Sequence, residues 1–93
     1  MQYLLIHSHT PENWFTDKPE ARRKCFAELN NNFTKASITV KGFYSSAPSH
    51  TLYFILEGND QIALQRALSP MFSFGEGQLI PVIPGSVAEA ATR

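Results

Sequence analysis

The chain has 93 residues, of which 43% are hydrophobic, and its eight basic and eight acidic residues balance to a net charge of zero. This length predicts one domain with one core over 1–93, and the balanced charge argues against nucleic acid and anionic membranes, which attract a basic excess. A lone cysteine, Cys25, excludes an internal disulfide, and with no signal peptide or long apolar segment we expect a cytoplasmic protein.

The first half of the chain is predicted to form a strand, a helix and a second strand. Residues 2–9, "QYLLIHSH", are apolar and ring-rich, which is typical of a strand. Pro19 suits the first turn of the following helix, where its missing N–H costs little. Residues 37–45 are β-branched and aromatic and predict a strand. The apolar side of the helix, at spacings of three and four, consists of Ala21, Cys25, Phe26, Leu29 and Phe33.

The second half is predicted to form a strand, a helix and a last strand. Residues 51–57, "TLYFILE", are almost all apolar, which is typical of a central strand covered on both faces. A short helix is expected over 60–69, and Pro70 is expected to stop it because proline cannot continue a helix. The last strand is predicted at 78–83, and Pro81 within it indicates an edge strand or a bulge.

The element order β-α-β-β-α-β is the ferredoxin-like pattern of α+β proteins. Right-handed crossovers place strand three between strands one and two, and strand four beside strand one, in a four-stranded antiparallel sheet. Two helices then cover one face and leave the other bare. Because both faces of the central strand are apolar, we expect a second copy of the chain to cover the bare face, with a pocket between the copies. Residues 84–93 are predicted to be a frayed tail.

Two stretches carry a resemblance to a group of proteins. "MQYLLIHSHTPEN" ahead of a helix, and "TLYFILEGNDQIALQRALSPMFSFGEGQLIPVIP" near the end, resemble the small dimeric α+β-barrel proteins, in particular an uncharacterised family of chains about this long. Its members open with a strand of the type "MKYL…W" and close with a helix, an aromatic-rich connector and a strand ending "PV". The resemblance implies a ferredoxin-like protomer in a homodimer and no particular activity. Cofactor-free monooxygenases, haem enzymes and muconolactone isomerases are related to it by fold alone.

Three histidines form the candidate site of the sequence. His7 and His9 share a face at the end of the first strand, because strand residues two apart point the same way. His50 leads the third strand, which runs antiparallel to the first. All three are therefore predicted to converge on one rim of the sheet, with His7 and His9 on the uncovered face.

One hypothesis is a transition-metal site with His7, His9 and His50 as ligands. Imidazole binds zinc, nickel, copper and iron, and three histidines leave an open coordination position. Against it, the sequence shows no acidic residue placed to orient these rings, and the nearest in sequence are Glu12 and Asp17. The competing interpretation is that the imidazoles only pack in the core or face solvent, and the sequence requires no cofactor.

A second hypothesis is a pocket for a small organic molecule at the open sheet face, lined by His7, His9, Tyr53 and Trp14. An imidazole there is suited to be a general base because it titrates near neutrality, and the aromatic rings offer stacking surfaces. Whether the protein is an enzyme is left open. A third hypothesis is a non-catalytic module that serves only to dimerise.

Two other motifs are interpreted as structural. The basic triplet at 22–24 is interpreted as a solvated helix face, because neighbouring glutamates dilute its charge. "KGFYSS", residues 41–46, is similar to part of the signature of RNA-recognition modules, but it lies on the second strand rather than the third. RNA is therefore not an expected partner.

Overall fold

The computed structural model describes residues 1–10, 18–73 and 75–93. Strands and helices alternate in the predicted order, with one extra helical turn after the second helix and another in the tail. The strands are β1 (Gln2–Ser8), β2 (Thr39–Ser46), β3 (Thr51–Glu57) and β4 (Glu76–Val82). The helices are α1 (Pro19–Lys35), α2 (Gln61–Ala67), α3 (Ser69–Phe72) and α4 (Val87–Ala90).

The four strands form one sheet in the order β2-β3-β1-β4, with every neighbouring pair antiparallel. Leu5 of β1 pairs with Phe54 of β3 on one side and with Leu79 of β4 on the other. This strand order and the α+β class confirm the predicted ferredoxin-like layout. Pro81 lies in β4, an edge strand, as its missing N–H predicts.

The helices cover the face of the sheet that carries alternate residues of β1 beginning with Tyr3. This face and the helix residues above it make a single core in which side chains are almost completely removed from water. Burial of this apolar area is the main term that stabilises so short a chain. The buried sheet residues are Tyr3, Leu5, His7, Leu52, Phe54 and Leu56, and the helices add Cys25, Leu29, Phe33, Leu64, Ala67, Leu68 and Met71.

Pro70 does not stop a helix as the sequence predicted. Helix α2 already ends at Ala67, and Pro70 lies in the first turn of α3. A proline is tolerated there because the first N–H groups of a helix have no intrahelical acceptor. The extra turn carries Met71 into the core, where it is fully buried.

The opposite face of the sheet, termed the open sheet face below, is not covered by a helix of the described residues. Paired residues place two apolar rows across its middle. The rows are Tyr44, Tyr53, Ile6 and Gln78, and Gly42, Ile55, Leu4 and Ile80. The ring of Tyr44, in the first row, lies against Gly42, in the second row. It covers the space that a side chain at Gly42 would fill.

The tail after β4 includes helical structure, and fraying of this segment stays a prediction. It contains one helical turn, α4, capped by the Ser86 hydroxyl, which accepts a hydrogen bond from the Glu89 N–H at 3.4 Å. None of the helices in the described part of the chain is long and apolar enough to cross a membrane.

Candidate functional site

His7 lies inside the core, beneath the helices. Its side chain is 0% exposed, and its Nε2 donates a hydrogen bond to the main-chain carbonyl oxygen of Met71 over 2.7 Å. A carbonyl can only accept, so Nε2 carries the proton. The prediction that His7 faces the uncovered side of the sheet is therefore wrong. Alternation correctly grouped His7 with Tyr3 and Leu5, but that set is the one the helices cover.

The predicted convergence of the three histidines is confirmed. The ring centroids of His7 and His9 are 6.0 Å apart, and those of His9 and His50 are 5.6 Å apart. The N–H of His9 donates to the carbonyl oxygen of His50 at 3.0 Å, which links the end of β1 to the β2–β3 turn. His50 has a φ of 50°, a left-handed conformation found at turn ends, and its own N–H reaches the Ala47 carbonyl oxygen at 3.2 Å.

Burial and mutual repulsion keep two of these imidazoles neutral. Burial lowers the pKa of His7, and its hydrogen bond to Met71 opposes that shift. Burial also lowers the pKa of His9, and positive charge on His7 or His50 lowers it further. The cluster therefore offers neutral imidazole near pH 7.

The metal hypothesis stays a prediction. Within residues 1–10, 18–73 and 75–93, no group of three His, Cys, Asp or Glu side chains is placed to hold a metal ion. The His7 Nε2 is occupied by Met71. His9 is thus the neighbour of both other histidines, and a metal site shared by all three is not formed among the described residues.

Of the other two predicted pocket residues, the structure places only Tyr53, and Tyr53 does not join His7. Tyr53 pairs with Ile6 and so lies on the open sheet face, opposite to His7. Trp14 lies outside the described residues. His7 and Tyr53 are therefore separated by the sheet and cannot line one pocket of a protomer, and a role for either in ligand binding stays a prediction.

A cavity of about 390 Å³ lies between α1 and the sheet, on the helix-covered side. A second cavity of about 210 Å³ shares Arg22, Ser45 and Leu52 with it and extends to His9. The two form one continuous depression, termed the α1–β2 groove. Its residues are Arg22, Arg23, Phe26, Phe43, Ser45 and Leu52 in the larger part, and His9, Ser46, Ala47 and Thr51 in the smaller part.

Aromatic rings line the larger part of the groove. Phe43 stacks on Phe54 with ring centroids 4.6 Å apart and an interplanar angle of 23°. Phe26 of α1 approaches Phe43 at 6.1 Å and 46°. Although Phe54 is buried, Phe43 remains 48% exposed, so one large ring face is available to a ligand.

Sequence reasoning missed this groove. The sequence predicts a solvated helix face at 22–24, and it places Phe43 in the second strand, within the segment "KGFYSS". Two local signals pointed to it. Phe26 is one helical turn after both arginines, and Phe43 and Ser45 share a face of an edge strand. Neither signal shows how α1 lies across β2, and that placement is what brings these side chains to one cavity.

The sheet order and the one-sided helix layer define a ferredoxin-like protein of the α+β class. Residues 1–92 match the family described as a domain of unknown function, DUF3303, and the chain belongs to that family. The predicted membership of an uncharacterised family is thus confirmed. Among solved structures, the chain is similar to Rv0793 from Mycobacterium tuberculosis, with 14% identity, a TM-score of 0.46, and coverage of 92% of this chain and 99% of that one. No curated protein matches the chain.

Proposed function

We propose that this protein binds a small organic molecule in the α1–β2 groove. The observation that carries the proposal is the joining of an aromatic cavity to a polar one through Arg22, Ser45 and Leu52. Binding sites for small molecules are concave, mainly apolar and furnished with a few polar groups, and the larger cavity falls within their usual range of about 300–1,000 Å³.

The two ends of the groove offer different interactions. At the inner end, Phe43 presents an exposed ring for stacking, and Phe26 lies beside it. At the rim, His9 supplies an imidazole whose pKa is lowered, so it is neutral near pH 7 and suited to exchange a hydrogen bond or a proton with a ligand. The proposed site keeps His9 from the predicted set and leaves Tyr53 on the other face.

The test is a titration of the ¹⁵N-labelled protein with single-ring fragments, neutral and charged, followed by amide chemical shifts. We expect the largest changes at Phe43, Ser45 and neighbouring residues. Phe43→Ala should weaken binding about fivefold, since a lost stacking partner costs on the order of 1 kcal/mol. Phe72→Ala is the matched control, because Phe72 is 39% exposed but belongs to α3. Changes confined to other surfaces would contradict the proposal.

We also propose that the protein is a homodimer joined through the open sheet face. Its two middle rows are mostly apolar, and the flanking rows are mostly polar: Ser46, Thr51, Ser8 and Glu76 at one end, and Thr39, Glu57, Gln2 and Val82 at the other. An apolar centre within a polar rim is the usual anatomy of a protein interface. We infer that a second copy of the chain covers this face. Two copies with zero net charge do not repel each other, and pairing would bury a sheet face that so small a chain leaves uncovered.

Sedimentation velocity at micromolar concentration tests the dimer. We expect a dimer for the parent chain and a monomer for Ile80→Lys, which places a charge in an apolar row. Ile62→Lys is the control, since Ile62 is 60% exposed on α2, away from this face. A monomeric parent chain would contradict the dimer while leaving the groove proposal intact, because the groove lies on the other side of the sheet.

A further inference from the structure

We infer that the ligand of the α1–β2 groove is an aromatic carboxylate, an organic anion with a planar apolar body. The inference rests on the proposed function and adds the chemical class of the ligand. Three features of the groove support this ligand class: the arginine side chains, the aromatic rings and the serine hydroxyl.

The groove is positively charged within a neutral protein. Arg22 and Arg23 both line its larger part, and no acidic side chain is among the described residues that line either part. Neither guanidinium is ion-paired to a carboxylate of the described chain. An anion that enters this depression therefore meets two cationic groups, with no carboxylate among the described lining residues. Guanidinium binds carboxylate through two parallel hydrogen bonds, which gives both charge and geometry.

Beside the arginines, the groove offers rings rather than further charge. Phe43 is 48% exposed and is held in place by its stack on Phe54, so its orientation is set before a ligand arrives. Leu52, only 4% exposed, closes the bottom. Inorganic phosphate would bind the guanidinium groups and leave the apolar rings in contact with water. An aromatic anion would bind the guanidinium groups and also cover the rings.

The hydroxyl of Ser45 lines both parts of the groove, between the rings and His9. A carboxylate bound by the arginines has further lone pairs that a hydroxyl can satisfy. Ser45 is therefore assigned as the neutral donor to the same group. The charge, the ring faces and the hydroxyl all lie within one depression, and a planar aromatic acid satisfies all three.

The experiment is isothermal titration calorimetry of the intact protein with 2-naphthoate, its neutral counterpart 2-naphthamide, acetate and inorganic phosphate. We expect 2-naphthoate to bind about tenfold or more tightly than 2-naphthamide, since a charge-assisted hydrogen bond contributes roughly 1.5–3 kcal/mol. Acetate and phosphate should bind far more weakly, because neither has a ring. Raising the salt concentration should weaken naphthoate binding and leave naphthamide binding nearly unchanged.

Variants assign the effect to residues. Arg22→Gln and Arg23→Gln should each weaken 2-naphthoate about tenfold and leave 2-naphthamide unchanged. Arg66→Gln is the matched control, because Arg66 is a helix arginine that lines a different cavity. Phe43→Ala should weaken both naphthyl compounds.

Equal affinity for the acid and the amide would overturn the inference and leave the proposed function standing. Phosphate binding as tight as naphthoate binding would overturn it as well, because the ring would then contribute nothing. If neither naphthyl compound binds, the inference fails, and the fragment titration described above decides the proposed function separately.

Discussion

The Nε2–H of His7 donates a hydrogen bond to the main-chain carbonyl oxygen of Met71, 64 residues further along the chain, at a distance of 2.7 Å. The bond joins the middle strand β1 to the short helix α3, and both side chains are fully buried. It supplies a donor to a carbonyl in the last turn of the helical segment, where carbonyl groups lack partners within the helix. His7 is thus a structural link of the core as well as the inner member of the histidine cluster.

The first prediction concerns pH. Because burial lowers the pKa of His7 in the folded chain, the unfolded chain binds a proton more readily as the pH falls. The contribution of neutral His7 to stability is therefore complete above its pKa in the unfolded chain, about 6.5. It is lost as the pH falls through its lower pKa in the folded chain. Between pH 7.5 and 5.5, His7 alone should reduce the free energy of unfolding by up to about 1.4 kcal/mol, with His9 acting in the same direction. Urea unfolding at the two pH values measures the difference.

The His7→Gln variant is the control for that measurement. Its amide can still donate toward the Met71 carbonyl but does not titrate. The variant should be less stable at pH 7.5, because the imidazole fills its site in the core, yet it should lose less stability on going to pH 5.5. An equal loss in the parent and the variant would show that other groups cause the acid sensitivity.

The second prediction concerns Gly75, which approaches β1 closely. A Cβ at this position would collide with the carbonyl oxygen of Ser8 and would lie 2.8 Å from the Cε1 and Nε2 atoms of His7. Gly75 also has a φ of +156°, which side chains rarely adopt. Gly75→Ala should lower the free energy of unfolding by about 2 kcal/mol or more, because a main-chain atom cannot rotate away. Gly85→Ala, with nothing within 4 Å of its Cβ, should be nearly neutral.

The third prediction concerns the start of α2. The Asp60 carboxylate accepts a hydrogen bond from the N–H of Ile62 at 3.0 Å, which caps the helix. Asp60→Ala should lower the free energy of unfolding by about 1 kcal/mol, and Asp60→Ser should retain most of the stability because serine also caps. Ser86→Ala, at the cap of the exposed α4, should have little effect on global unfolding. Thermal melts of the three variants compare the two caps.

The fourth prediction concerns Cys25 on α1. Its side chain is 8% exposed, and burial is the main reason that the pKa of its thiol is raised. Since the thiolate is the reactive form, iodoacetamide should alkylate the native protein at least about tenfold more slowly than the unfolded chain. Mass spectrometry over time at pH 7.5, with and without 6 M guanidinium, measures the ratio. Comparable rates would indicate that α1 leaves the sheet readily.

Local pattern was sufficient for most of the secondary structure. The apolar run at 51–57 coincides with β3, and the spacing of Cys25, Leu29 and Phe33 identifies the buried side of α1. The meeting of His9 and His50 was also predictable, because adjacent antiparallel strands bring the end of one beside the start of the other. These features follow from backbone geometry and from the period of the apolar residues.

What the sequence determined by itself was the order of elements, the antiparallel layout and the rim at which the histidines meet. The tertiary structure alone decided which face the helices cover, because β1 and β3 are apolar on both sides and alternation cannot choose between them. It also decided that Pro70 begins a turn which carries Met71 to His7. Above all, it brought the arginines of α1 and Phe43 of β2 to the lining of one cavity, because that depends on where the packed helix lies and local pattern does not specify it.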